Sequence, residues 1–315
     1  MATILERAPS VGGFSRVARR SYRIVADVPS IPLLMLGILV FFAVFAGVLA
    51  PHAKLVPVKP SAEQCQAKFG TPSCPYVDYV PPFWAKGGTF DTPLGTDFLG
   101  RDVLSRIMYG ARISLVVAMT GTLFAGAIGT LLGVMAGYMG KWWDQIIMRI
   151  TDAWLTLPSL VFAILLSSVR GPGLWNVVLI LALVFWSRYS RAVRGEVLAL
   201  RERDFVRLAE INGISKPKII WRHLIPNVMN TVMVLFSLQV GVAVIIEASL
   251  SFLGVGVPPP EPSWGLMMAQ ERDSLMDGKW WLAVFPGICI TMLVLSANML
   301  RDWLRVRLDP RLRNR

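Results

Sequence analysis

Charge is scarce in this chain. Asp, Glu, Lys and Arg make up 17% of its 315 residues and apolar types make up 54%, a balance too greasy for an ordinary soluble domain of that length. Histidine is scarcer still. His52 and His223 are the only two, and they fall on opposite sides of the predicted topology, which argues against a His-based metal or acid–base centre. No carboxylate pair shares an intramembrane face. A phosphate-cradling loop is missing too, since it needs spaced glycines and a Lys followed by Ser or Thr. The nearest approach, Met135 to Trp142 with Gly140-Lys141, lacks the first glycine and ends in Trp142. The expectation is a chain with no catalytic residues, no bound cofactor and no metal of its own.

What is abundant is apolar sequence in long runs. Ile31 to Ala50 is uninterrupted and has the length of about 20 residues that a helix needs to cross roughly 30 Å of hydrocarbon. Ile113 to Tyr138, Val228 to Ile246 and Trp280 to Leu300 are three more such runs. Two weaker spans lie between, Trp154 to Val169 and Leu174 to Trp186. The latter reaches across only if Gly171 to Gly173 and the Trp186-Ser187 end contribute, with Arg188 snorkelling to the interface. The sequence therefore predicts an all-α integral membrane protein with six transmembrane helices, the fourth being the weakest.

The net charge of +12 raises the question of nucleic acid, but its placement answers otherwise. Arg7, Arg16, Arg19, Arg20 and Arg23 precede the first span. Arg188, Arg191, Arg194, Arg201, Arg203, Arg207, Lys216, Lys218 and Arg222 follow the fourth. Arg301, Arg305, Arg307, Arg311, Arg313 and Arg315 fill the tail. With six spans these groups share one side, which the positive-inside rule makes the cytoplasm, so both termini are expected inside. Attraction to anionic membrane lipid comes with it; no nucleic-acid partner is expected. The first span is not a cleaved signal, because its apolar core is too long and its charged lead runs to about thirty residues.

The organisation read from these signals is a cytoplasmic tail over residues 1–30, a first span over 31–50, an outer loop over 51–112, a five-helix core over 113–303 that includes a polar insert at 201–226, and a cytoplasmic tail over 304–315. The outer loop is expected to be irregular, being rich in Pro, Gly and Lys. Cys65 and Cys74 lie in it, nine residues apart. In an oxidising compartment they suggest a disulfide closing a small loop, with two free thiols as the alternative. Gly121, Ala125, Gly129, Gly133 and Gly137 recur at every fourth position of the second span and form a small-residue stripe for close helix packing. Trp142-Trp143 and Trp280-Trp281 read as interfacial anchors. Pro158 and Pro286 fall in or near spans; each either kinks its helix or is there for packing, which is reason enough for both.

The polar insert carries the functional signal. Asp204 reads as an N-cap for a helix over Phe205 to Asn212, and Gly213 as its left-handed stop. Ser215 caps a second short helix with Pro217 in its first turn, and Pro226 marks its end. A folded knob between two apolar spans is a docking surface or a solvated interfacial helix pair.

The insert resembles the cytoplasmic EAA loop of binding-protein-dependent ABC importer permeases. That loop runs Glu-Ala-Ala, three residues, Gly, nine residues, then Ile-x-Leu-Pro. Arg207-Leu208-Ala209, Gly213 and His223-Leu224-Ile225-Pro226 align with it. The glycine, the proline and the spacing match, and the first two residues of the triplet do not. Arg207 replaces an acid that the helix dipole would favour, and Glu210, one turn on, is expected to pair with it. Pro93 to Arg106, Ala248 to Gly254 and Pro258 to Gly265 are similar to segments of the dipeptide, oligopeptide and nickel subfamily, and the C-type half of a dipeptide-like permease pair is the closest match. The resemblance covers nearly all of the chain from Ile31 to Pro310. It implies a type I importer permease fold in a bacterial inner membrane. It also implies a B-type permease as heterodimer partner, two ABC ATPase subunits that bind ATP and Mg, and a periplasmic solute-binding protein. On this reading Phe205, Arg207, Leu208, Ala209, Glu210, Gly213, Ser215 and Lys216 form the ATPase coupling surface.

Glu247, at the end of the fifth apolar run, is the one intramembrane acid to place. It either walls the pathway or sits near the outer interface, bonded to loop backbone around Ser251 or Ser263. Di- or oligopeptide is the expected cargo, with nickel and glutathione as alternatives within the same importer class. An ATP-independent secondary transporter or channel is the rival mechanism, and a membrane scaffold with a docking loop is a further one.

Overall fold

A computed structural model describes residues 30–71 and 73–308. The residue 1–29 arginines and those at 311, 313 and 315, on which part of the charge argument rests, lie outside the described residues. Those described form helices joined by loops, with no strand beyond an isolated bridge between Thr96 and Asp102.

Five helices are long and apolar enough to cross a membrane, and a bent pair brings the number to six where its two arms are counted as one span. In chain order these are α1 (Ser30–Leu49), α3 (Val103–Met139), the pair α4 (Lys141–Thr156) and α5 (Ser159–Arg170), α6 (Leu174–Arg201), α9 (Ile225–Phe252) and α11 (Trp281–Leu308). The pair bends by 94° at its break. Pro158 stands there with Leu157 in extended backbone, the conformation that a following proline imposes. Of the two readings of Pro158, kink or packing, the 94° break favours the kink, and the pair covers the predicted third span. Its first arm begins at Lys141, well before Trp154.

α6 is the largest departure from expectation. The weakest span by hydropathy is a continuous 28-residue helix, about 42 Å long, and it is the most enclosed of the spans. Arg188 and Arg194 on it meet polar partners on neighbouring helices, so an average over side chains understates how deeply it sits. Gly171 and Gly173 lie outside it, both with positive φ. α3 begins ten residues before its apolar core. Asp102 caps it by accepting from the Ser105 amide at 2.9 Å, so the outer loop ends at residue 102.

The small-residue stripe of α3 is its contact with α6. A Cβ built on Gly121 would stand 2.8 Å from Leu181 Cβ, and one on Gly137 would stand 2.8 Å from Val197 Cβ. Such distances permit only glycine at these positions, and the two backbones close on each other as the spacing predicted.

The outer segment is folded rather than irregular. α2 (Ala62–Phe69) starts with a reciprocal capping box between Ser61 and Gln64, and Cys65 and Cys74 are joined as a disulfide. The segment locks onto the bundle through a buried charge network. The Asp97 carboxylate accepts from the Leu99 and Arg101 amides at 2.9 Å each, from Arg101 Nε at 2.7 Å and from the Arg106 guanidinium. Arg106 also donates to Gln270 Oε1 at 2.8 Å. Glu271 accepts from the Phe98 amide at 3.2 Å and from Ser274 Oγ at 3.0 Å. Loop 76–102 is thereby tied to α10 (Trp264–Gln270) and the turn after it. The anchoring role expected of Trp280-Trp281 is divided: Trp280 is exposed, while Trp281 is buried against the loop at Gly95.

Candidate functional site

The polar insert sits at the opposite end of the bundle from this folded segment. α7 (Asp204–Ile211) and α8 (Lys216–Ile219) form it, followed by a π-helical turn, Ile220–Leu224. Arg203, not Asp204, holds the N-cap position. Asp204 lies in the first turn, where its charge suits the positive end of the helix. At the other end Gly213 has φ +70°. Its amide donates to Glu210 O at 3.0 Å, and the Ile214 amide donates back to Ala209 O at 3.1 Å. This double closure turns the chain sharply between the two helices.

The second helix does not end at Pro226. α8, the π turn and α9 run on as one 37-residue rod, Lys216–Phe252. The Ile225 amide bonds to Ile220 O, five residues back, and this wider turn makes room for a proline that has no N–H to give. The insert is therefore continuous with a membrane-crossing helix. A push on α8 is a push on α9.

The knob is fixed to the bundle by its inner face. Val206, Ala209, Ile219 and Leu224 are buried against Val134 and Tyr138 of α3, Val193 and Val197 of α6 and Val228 of α9. Among the coupling candidates Ala209 thus faces inward as an anchor. Phe205, Arg207, Leu208, Glu210, Gly213, Ser215 and Lys216 are exposed. Arg207 does not pair with Glu210; its guanidinium meets Glu202. Glu210 lines a 370 Å³ recess with Tyr138, Arg201, Ile214 and Lys216. Two surface residues were missed. Ile211 is 80% exposed and Trp221 is 66% exposed. The signal was present, since Phe205, Leu208 and Ile211 at i, i+3, i+6 form an apolar stripe on a helix whose opposite face is already buried.

Glu247 is fully buried. Its Oε2 accepts from Ser114 Oγ on α3 and its Oε1 from Ser251 Oγ on its own helix, each at 2.9 Å. Ser251 and Ser263, the two residues named from the sequence, are both partners, but through their hydroxyls and not through loop backbone. Enclosed in this way, the carboxylate clamps α3 to α9 and offers no open face.

Arg188 was placed at the interface by its sequence context. In the structure it lies at the midpoint of α6, half-buried, and turns toward the break between α4 and α5. It donates to Ser159 Oγ at 2.8 Å and to Gln239 Oε1 of α9 at 3.2 Å.

Two carboxyls outside the spans have raised pKa values. Burial lifts Glu271 above the usual carboxylate range against the pull of the Phe98 amide and Ser274. Burial likewise lifts Asp102 against its bonds from Ser105.

Comparison with known proteins agrees with this architecture. The family described as binding-protein-dependent transport system inner membrane component matches residues 129–314. The chain is 36% identical over 284 residues, 90% of this chain and 88% of the relative, to the di/tripeptide transport system permease protein DppC of Pseudomonas aeruginosa. It is 36% identical over 276 residues, 88% of this chain and 86% of the relative, to a Brucella suis protein named as a peptide transport system permease. Another Brucella suis protein, named as a peptide permease, is 42% identical over 218 residues, 69% of this chain and 72% of the relative.

Proposed function

Because the chain belongs to the family of binding-protein-dependent transport system inner membrane components, we propose that it is the C-type permease of an ATP-driven importer of di- or oligopeptides, paired with a B-type permease. As a member of that family it is a multi-pass inner-membrane permease subunit working with ATPase and binding-protein partners. The relatives named above carry peptide in their names, which favours peptide over nickel or glutathione.

The observation that carries the coupling role is the exposed apolar stripe of Phe205, Leu208 and Ile211 on a helix whose other face is bolted to three spans. An apolar stripe in water marks a protein contact, and the rigid continuation of α8 into α9 gives that contact a lever into the membrane. On this reading ATP and Mg bind to the two ATPase subunits and none to this chain. Closure of the ATPase dimer tilts the knob, and the bundle alternates between inward-open and outward-open states as rigid bodies. Both termini then face the cytoplasm with the knob. The disulfide-bonded segment faces the periplasm and the solute-binding protein. The B-type subunit covers the open apolar groove of 680 Å³ between α3, α9 and α11, lined by Met119, Phe236 and Leu293 among others. Coupling through a folded knob argues for an ATP-driven cycle over a secondary transporter, which has no use for one.

The test is a Leu208→Asp, Ile211→Asp double variant in the co-expressed importer. Membrane yield stays at the unaltered level and co-purified ATPase falls at least tenfold. Undiminished co-purification would remove the docking role.

A further inference from the structure

α6 carries three arginines in a row, one turn apart, and they are not treated alike. Arg194 forms a two-pronged pair with Asp144 of α4, both bonds at 2.7 Å. Arg191 meets Asp152, two turns further along the same helix. Arg188 is the next and deepest, and the position of α4 and α5 that faces it is Ser159. Where the ladder calls for a third carboxylate there is a hydroxyl.

Among the described residues Arg188 has no acidic partner. Its bonds go to Ser159 Oγ and Gln239 Oε1, and its guanidinium lies 5.5 Å from the Phe185 ring centroid. An intramembrane guanidinium without a counter-charge is costly, and such residues mark substrate or ion pathways. Two further donors converge here. The start of the 12-residue helix α5 has no side-chain cap, so its first amides and the positive end of its dipole are open at the break. Gln239 is 1% exposed, and its amide nitrogen has no hydrogen-bond partner. Guanidinium, amide nitrogen and helix start are all donors, and no acid answers them.

We propose that Arg188, Gln239 and the start of α5 form an intramembrane site for a carboxylate, the C-terminal carboxylate of the peptide in transit. The inference rests on the peptide-permease reading and extends it by naming the groups that hold cargo between the spans. A discontinuous helix whose N-terminus meets an anion at membrane depth is a sound way to bind one without water. Arg188 supplies a planar fork that matches a carboxylate in two bonds. Arg188 is half-buried, so part of its surface stays accessible.

The decisive variant fills the gap from within. Ser159→Asp places a fixed carboxylate where the peptide's would go. In proteoliposomes holding the complete importer, with binding protein outside and a radiolabelled dipeptide bearing a free carboxylate, uptake by Ser159→Asp falls at least tenfold. The melting temperature of the assembled complex holds or rises, because Arg188 has gained a partner. Uptake within about twofold of the unaltered complex overturns the proposal, because a merely structural arginine is content with an internal acid. Should Ser159→Asp fail to assemble, Arg188→Lys and Arg188→Met decide in the same assay. Lys keeps at least a fifth of uptake and Met keeps less than a tenth, whereas equal values for the two overturn the site. If the unaltered complex takes up no peptide, the peptide reading itself falls and this site falls with it.

Discussion

Gly133 lies directly beneath the backbone of Ser190: a Cβ added to it would stand 2.7 Å from the Ser190 carbonyl oxygen and 2.9 Å from Val193 Cβ. The obstacle is backbone, so it cannot turn aside. Gly133→Ala is expected to part α3 from α6 and to lower stability by about 1–3 kcal/mol, the usual cost of overpacking. Gly47→Ala on α1 has nothing within 4 Å and is the matched control. Melting temperatures of the two variants in lipid nanodiscs check this. Equal values would mean that the stripe is not a packing seam.

Gly213 presents the opposite case. A Cβ there meets no atom within 4 Å, yet its φ is +70°, so a substitution strains the backbone alone. Gly213→Val should leave the spans assembled, loosen the turn between α7 and α8, and reduce ATPase co-purification several-fold. Gly213→Asn, which tolerates the left-handed region, should retain most of it. A Gly213→Val permease that brings down normal amounts of ATPase would contradict the reading.

Glu247 is held by the hydroxyls of Ser114, Ser251 and Ser263. Ser251 Oγ also accepts from the Val257 amide at 3.1 Å, which ties the carboxyl to the loop after α9 through one hydroxyl. Glu247→Gln sets an amide N–H₂ against a donor and leaves a buried polar group unmatched. We expect a loss of about 1–3 kcal/mol in stability and equal uptake effects for acidic, neutral and basic dipeptides. A change confined to one peptide charge class would return Glu247 to the pathway.

How much of this could be read from the chain depends on what each feature needs. The Gly213 turn and the α3 stripe were legible because each is local: one residue's permitted φ, one helix face repeating every four residues. The insert's two helices were legible for the same reason. Pro226 misled because its effect depends on the register of the turn before it, and a single extra residue in that turn lets a helix pass through a proline. α6 and Arg188 misled more deeply. Hydropathy charges each arginine the cost of meeting lipid, but Arg194 and Arg191 meet aspartates on α4 instead. The helix is long because its polar residues are paired across a fold that no local window contains. The Arg188 grouping depends on the same fold, since Ser159, Arg188 and Gln239 come from three separate helices.

The buried carboxyls of the outer segment give a pH dependence with a definite sign. Glu271 and Asp102 both have pKa values raised by burial. The folded state therefore binds protons more tightly than the unfolded chain. Stability from these groups is fully present below their unfolded pKa and is lost as pH rises through the folded value. The wild-type protein should gain stability, by the part these groups contribute, as pH falls through their raised folded-state pKa values toward the ordinary carboxylate range. Glu271→Gln cannot titrate, so the slope of melting temperature against pH should flatten in that variant. Its Oε1 can still accept from the Phe98 amide, which keeps the comparison close to isosteric. The check is a melting series on wild type and Glu271→Gln at fixed ionic strength. A variant slope as steep as that of wild type, or steeper, would show that Glu271 is not held toward its protonated form by the fold.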